Sequence, residues 1–220
     1  MKKTLLSTVL AAAALAPAVK AAPQTLLDIA GGSSWPAARL SNSVLIIVDA
    51  QREYAEGKLV LTGIDAAVLS LSQLLDRARA AHTPVIHVVQ HSPSARQIFV
   101  KDSPMAEAIA PLTPHDGELV ISKQLPNAFA GTTLDRELSA LGRKDIIVVG
   151  FMTHMCVSAT VRSALDHGFR ATVVASCCAT RDLPDGSGGT VPAAEVHRME
   201  LAALRDRFAT VVSSPADIGE

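Results

Sequence analysis

No long run of lysine or arginine appears in this 220-residue chain, and its formal net charge is only −1, so it lacks the electrostatic footprint of a nucleic-acid binder. Neither a Gly-x-Gly-x-x-Gly nor a Walker-type loop follows the first strand-like run, which disfavours a nucleotide-binding module. Cysteine is scarce and odd in number: Cys156 stands alone, and Cys177 and Cys178 are adjacent at the end of "ATVVASCC". Three cysteines so placed form no disulfide framework for a chain of this size. The absence of any Cys-x-x-Cys pair also counts against a redox protein that would use Cys156 with Cys177 or Cys178. Internal repeats, heptads, low-complexity tracts and a second domain are missing as well. What remains, 49% hydrophobic and 19% charged, is the composition of one compact domain with a sizeable core, suited to small-molecule chemistry.

The first 21 residues read differently from the rest. "MKKTLLSTVLAAAALAPAVKA" has two lysines, an Ala/Leu-rich apolar stretch and a small-residue "VKA" site, the pattern of a secretory signal peptide cleaved after Ala21. Pro17 interrupts the stretch, which falls short of the ~20 apolar residues of a membrane span. The expectation is export, to a periplasm, with residues 22–220 forming the single mature domain and no membrane association after cleavage.

Along that domain, β-branched apolar runs recur at 44–49, 85–90, 118–122, 145–150, 171–176 and 209–213. Such nearly continuous runs suit strands covered on both faces. Amphipathic helical stretches lie between most of them, at 65–82, 132–142, 156–168 and 193–208. The alternation predicts an α/β fold: a doubly wound, Rossmann-like, six-stranded parallel sheet in the order 3-2-1-4-5-6, with helices on both faces. "LPDGSGGTVP" at 183–192 reads as a long flexible loop, a lid or contact arm, and residues 22–43 as an extended lead-in.

In that strand order, ligands bind beyond the carboxyl ends of strands 1 and 4. Strand 1 ends in Asp49, strand 3 ends at Lys123, and strand 4 runs into a turn carrying Cys156 at the start of a helix. Each has an ordinary alternative: a cap for Asp49, a solvated strand end for Lys123, a small core residue for Cys156. Together, three ionisable groups at strand ends make a stronger constellation than any one of them.

The segments "IIVDAQREY", "KQLPNAFAGTTLDREL" and "VVGFMTHMCVSATVRSALDHGF" resemble, in order and spacing, the isochorismatase-like cysteine hydrolase superfamily. The resemblance implies a catalytic triad of Asp49, Lys123 and Cys156. It also implies a non-proline cis peptide just before Thr153, between Met152 and Thr153, and an oxyanion hole to which we assign the backbone N–H groups of Thr153 and Cys156. A cysteine at a helix N-terminus beside a lysine is expected to have its thiolate favoured, with Asp49 taking and returning the proton. A metal-binding branch of the family carries Asp-x-His after strand 1. Residues 50–64 hold no histidine, so neither metal nor cofactor is expected. His87 and His91 stand too far apart on a strand to chelate one ion directly. Motif position puts Gln51, Tyr54, His91, Phe129 and Phe151 around the substrate, His154 at the pocket or a subunit contact, and His197 on an ordinary helix surface. The expected partner is a small amide or ureido compound whose C–N bond (amide, ureido or lactam) is cleaved through a thioester. A vinyl-ether hydrolase is the nearer rival. The resemblance further implies a homo-oligomer, a dimer or tetramer.

Overall fold

The computed structural model describes residues 22–32, 34–92 and 98–220, so the expected signal peptide lies outside the described residues. Six parallel strands form the sheet: β1 (Ser43–Val48), β2 (Val85–Gln90), β3 (Leu119–Lys123), β4 (Asp145–Phe151), β5 (Arg170–Ala179) and β6 (Ala209–Val212). Their order is β3-β2-β1-β4-β5-β6, as the alternation of runs predicts. The long helices are α1 (Ile64–Ala80), α2 (Leu134–Leu141), α3 (Ser158–Asp166) and α4 (Ala193–Arg207).

Period-two alternation divides each central strand between two cores. Leu45 and Ile47 of β1 pack with Leu71, Leu74 and Leu75 of α1, whereas Val44, Ile46 and Val48 pack with Leu134 and Leu138 of α2 and Val161 of α3. All six residues of β1 are buried, as a doubly covered strand requires. The lead-in is less extended than expected. It contains a one-turn helix, Leu26–Ile29, closed by a reciprocal cap between Thr25 and Asp28, before Trp35 Nε1 reaches the Ala171 carbonyl at 3.1 Å.

Two irregularities position the site. Pairing of β4 with β5 shifts between Val148, opposite Val173, and Gly150, opposite Cys178, so β5 carries a bulge just where β4 leaves the sheet. Gly150 itself has φ 117°, and a Cβ there would lie 2.0 Å from the Val48 carbonyl oxygen. Only glycine lets β1 and β4 approach this closely. Gly150→Ala is therefore expected to destabilise the fold by about 3 kcal/mol and lower the melting temperature by several degrees. Thermal unfolding checks this, and an unchanged transition would contradict it.

The 183–192 segment is not the free loop that its glycines suggest. Leu183–Pro184 pairs antiparallel with Thr190–Val191, and the Asp185 carboxylate accepts from the Ser187 and Gly189 N–H groups, tying the tip. Local side-chain-to-backbone bonds of this kind order a short Gly/Ser segment.

Candidate active site

Asp49 follows the last residue of β1 with φ 51°, in the left-handed region, held there by its N–H donating to Val88 O at 2.8 Å and its carbonyl accepting from Gln51 N at 2.8 Å. This turn points a fully buried carboxylate across the strand ends. Lys123, the last residue of β3, meets it there: Nζ lies 2.7 Å from Asp49 Oδ2, and neither side chain is exposed to solvent. The ammonium also donates to Gln90 Oε1 at 2.7 Å and lies 3.4 Å from Cys156 Sγ. Its three N–H donors thus serve a carboxylate, an amide and a thiol, which is how a lysine tolerates complete burial. The Asp49 carboxylate is thus held by Lys123, with the Cys156 thiol as its other polar neighbour.

Cys156 lies in the turn that follows β4. Thr153–Val157 forms a single π-helical turn that leads into α3, with the Met152 carbonyl accepting from both Met155 N at 3.0 Å and Val157 N at 3.2 Å. Wider turns of this kind occur often at functional sites. Neither bond involves the amide of Thr153 or of Cys156. The cis peptide falls between Phe151 and Met152, one residue earlier than the resemblance implies. The Met152–Thr153 unit already belongs to the helical turn, where its carbonyl must run along the axis to accept these bonds, and a trans unit provides that direction.

Thr153 anchors the turn. Its hydroxyl donates to Ala179 O at 3.1 Å, so the 2.9 Å contact from His197 Nδ1 is an N–H donated to the same oxygen. His197 is not the surface histidine expected from its helix. Burial lowers its pKa and keeps the ring neutral. His154 Nδ1 lies 2.5 Å from Thr180 Oγ1, a second tie from the turn to the end of β5.

The thiol is not the ready thiolate that a helix start and a lysine suggest. Burial, and then the negative Asp49 beside it, push the Cys156 pKa up to about 12 against the opposing pull of Lys123. Burial likewise raises Asp49, with Lys123 opposing. The resting site is a neutral thiol next to an ion-paired carboxylate.

A cavity of about 370 Å³ opens above Cys156. Tyr54, Leu59, Ile98, Phe99, Met152 and Met155 give it an apolar wall, and Gln90, Gln124 and Arg181 add polar groups. Of the residues expected at the substrate, Tyr54 lines this space. Phe151 is fully buried beneath the Tyr54 ring, 6.0 Å between centroids, and Gln51 is spent on Gln90 and Ala106. His91 turns to Ser122 Oγ at 2.9 Å, and Phe129 stacks on His167 with centroids 4.6 Å apart. Side-chain direction at the strand ends separates these groups, and proximity in sequence does not report it. Gln90 and Arg181, which motif position did not single out, are brought in instead. Gln90 was detectable in principle as the last residue of the strand between β1 and β3.

A larger cavity, about 590 Å³, lies by the opposite ends of β2 and β3 and is lined in part by Arg79 and Glu118. Glu118 there receives Arg79 Nε at 2.8 Å and His87 Nε2 at 2.8 Å. Although burial works against it, hydrogen bonds from Arg79, the His115 N–H and His87 hold Glu118 down at about 2. Among the described residues no group of three or more His, Cys, Asp or Glu is placed to hold a metal ion.

A doubly wound sheet with a buried Asp–Lys–Cys cluster at its carboxyl edge defines an α/β protein with a cysteine-centred site. The isochorismatase domain model matches residues 43–216, and the chain belongs to that family. It is 41% identical over 177 residues to a secreted isochorismatase effector of Verticillium dahliae, covering 80% of this chain and 90% of that protein. It is 33% identical over 174 residues to a streptothricin hydrolase of Streptomyces noursei, covering 78% of this chain and 69% of that one. The crystal structure of an isochorismatase from Pseudomonas putida KT2440 superposes with a TM-score of 0.85 at 43% identity, covering 90% of this chain and all of that one. Family membership and these relatives support hydrolase activity.

Proposed function

We infer that this protein is a cysteine hydrolase that cleaves a C–N bond, amide, ureido or lactam, of a small molecule. The observation that carries this reading is the Cys156 sulfur, bordering an apolar cavity with a buried, ion-paired Asp49 and Lys123 beneath it. As Sγ attacks the carbonyl carbon, Asp49 takes the thiol proton and hands it to the departing nitrogen, leaving a thioester on Cys156. Water then attacks the thioester while Asp49 accepts one of its protons, and the thiol is restored as the acid leaves. Lys123 holds the carboxylate in place. The Thr153 and Cys156 amides are the donors for the oxyanion in both steps.

Ammonia release from a panel of small primary amides and ureido compounds, with the protein freed of metal by chelation, tests the reaction. Intact-mass analysis of quenched mixtures tests the thioester. Turnover that survives chelation, with an acyl adduct on the Cys156 peptide, is expected. Asp49→Asn is expected to slow turnover by about 10²–10⁴-fold, the usual share of a general base. Turnover that disappears on chelation, or an Asn variant of undiminished rate, would overturn the reading.

The leader-like N-terminus, together with the similarity to a secreted effector, supports export of the mature domain. Secretion of a reporter fused behind residues 1–21, and its retention without them, is the corresponding measurement.

A further inference from the structure

Thr153 stands three residues before Cys156, at the start of the π-helical turn, and is fully buried. Met152, which precedes the turn, offers it no side-chain cap. The turn is tied from outside instead: the Thr153 hydroxyl donates to Ala179 O on β5 at 3.1 Å, and His154 reaches Thr180. A hydroxyl has one proton, and a carbonyl can only accept, so the Thr153 proton is spent on Ala179. Its oxygen keeps its lone pairs, and His197 Nδ1 lies 2.9 Å from it. That contact is a hydrogen bond only if Nδ1 carries the ring proton. Because burial lowers the His197 pKa, the ring is neutral at neutral pH, and a proton on Nδ1 leaves Nε2 unprotonated.

His197 belongs to α4, which packs on the turn, and it lines a hollow of about 230 Å³ together with Cys178 and Thr180. It is not among the residues that wall the cavity of about 370 Å³ above Cys156. Its route to the chemistry therefore runs through Thr153. With Ala179 O as its one partner, the Thr153 side chain could swing about a single hydrogen bond; a second contact from α4 fixes it. The same short turn presents Cys156 Sγ at 3.4 Å from Lys123 Nζ, so a shift at Thr153 is carried to the sulfur and to the amides assigned above to the oxyanion. A misplacement of about 1 Å at a reacting centre can cost on the order of 10²-fold in rate.

Resting on the reading of Cys156 as nucleophile, we propose that His197 is a positioning residue for the hydrolysis: as N–H donor to the Thr153 hydroxyl, it locks the turn in the placement from which Cys156 attacks and the oxyanion is met. It neither touches the substrate nor transfers a proton.

Two substitutions separate this role from packing alone. Phenylalanine keeps a ring at position 197 without a donor, whereas asparagine supplies an amide N–H near the place of Nδ1 and fills less space. For the best compound of the amide and ureido panel, His197→Phe is expected to lower kcat by about 10–100-fold while KM changes by less than about threefold. His197→Asn is expected to stay within about threefold of the wild-type kcat. A histidine that merely fills space gives the reverse order, since phenylalanine packs better than asparagine. An undiminished kcat in His197→Phe overturns the proposal, as does an Asn variant as slow as the Phe variant at the same melting temperature. The ring itself offers a measurement that needs neither variant nor substrate. Long-range proton–nitrogen correlation spectra of histidine-labelled wild type, recorded above neutral pH, are expected to show His197 as the neutral Nδ1–H tautomer, and the Nε2–H form overturns the proposal. Cys156→Ala, run beside these variants, separates the two readings. If it hydrolyses the panel as fast as wild type, the nucleophile reading falls and this proposal with it; a slow Cys156→Ala beside an unimpaired His197→Phe sinks the positioning role alone.

Discussion

Replacing Cys156 by alanine is expected to lower kcat for amide or ureido cleavage by about four orders of magnitude or more, with the fold intact. The size follows from the chemistry: Cys156 is the one thiol among the described residues of the cavity, and a nucleophile that works as a unit with its base takes most of the rate with it. The substitution removes one buried sulfur from a 5%-exposed position, a modest change in packing, so circular dichroism and the thermal transition should stay near those of wild type. Ammonia release from the best compound of the panel, followed for wild type and variant under identical conditions, decides the matter. A variant that keeps its rate would sink the thioester route and favour the vinyl-ether rival, whose reaction needs no thiol.

Lys123→Met is expected to cost both activity and stability, and the stability loss should depend on pH. Methionine fills nearly the same volume, so what disappears is the charge facing Asp49 and the bonds to Gln90 and Cys156. Burial already raises the Asp49 pKa, and Lys123 is the largest influence opposing it. Without the lysine, Asp49 shifts further up and is held as a neutral acid near neutral pH, unable to accept the thiol proton. Removing one partner of a buried ion pair costs about 3–5 kcal/mol when the other must stay charged. A carboxyl whose folded pKa is raised contributes stability that is present below its unfolded pKa and lost as pH rises toward the folded value. The urea midpoint of the variant should therefore lie close to wild type at pH about 4 and fall progressively behind it toward pH 8. A deficit constant across that range would show that Asp49 does not titrate in the variant and would refute the argument. Activity should drop by at least the factor expected for Asp49→Asn, since both variants remove the same base.

Much of the architecture was legible in the order of residues, because burial on both faces of a parallel strand demands uninterrupted apolar runs and the helices between them demand one-sided ones. Val44–Val48 and Ile146–Val149 could hardly be anything else. The right-handed crossover rule then leaves few strand orders, and the one found puts Asp49, Lys123 and the Cys156 turn at one edge. Residue types at strand ends are local information, and so those three positions could be read from the chain.

The tertiary structure alone decided the rest, for reasons that are not local. The pKa of Cys156 depends on how deeply neighbouring elements bury it and how near Asp49 stands, and these outweigh the lysine whose presence suggested a thiolate. His197 faces Thr153 because α4 packs against the Cys156 turn, which helical periodicity does not reveal. The close approach that makes Gly150 obligatory arises between β1 and β4, about a hundred residues apart. Which side chains wall the cavity follows from pleat and bulge at the sheet edge, where a shift of one residue turns a group from pocket to core, as with Phe151 beneath Tyr54. Arg181, two residues past β5 in a Gly- and Asp-rich stretch, joins the cavity only because that bulge and the bridge at Thr180 carry it there.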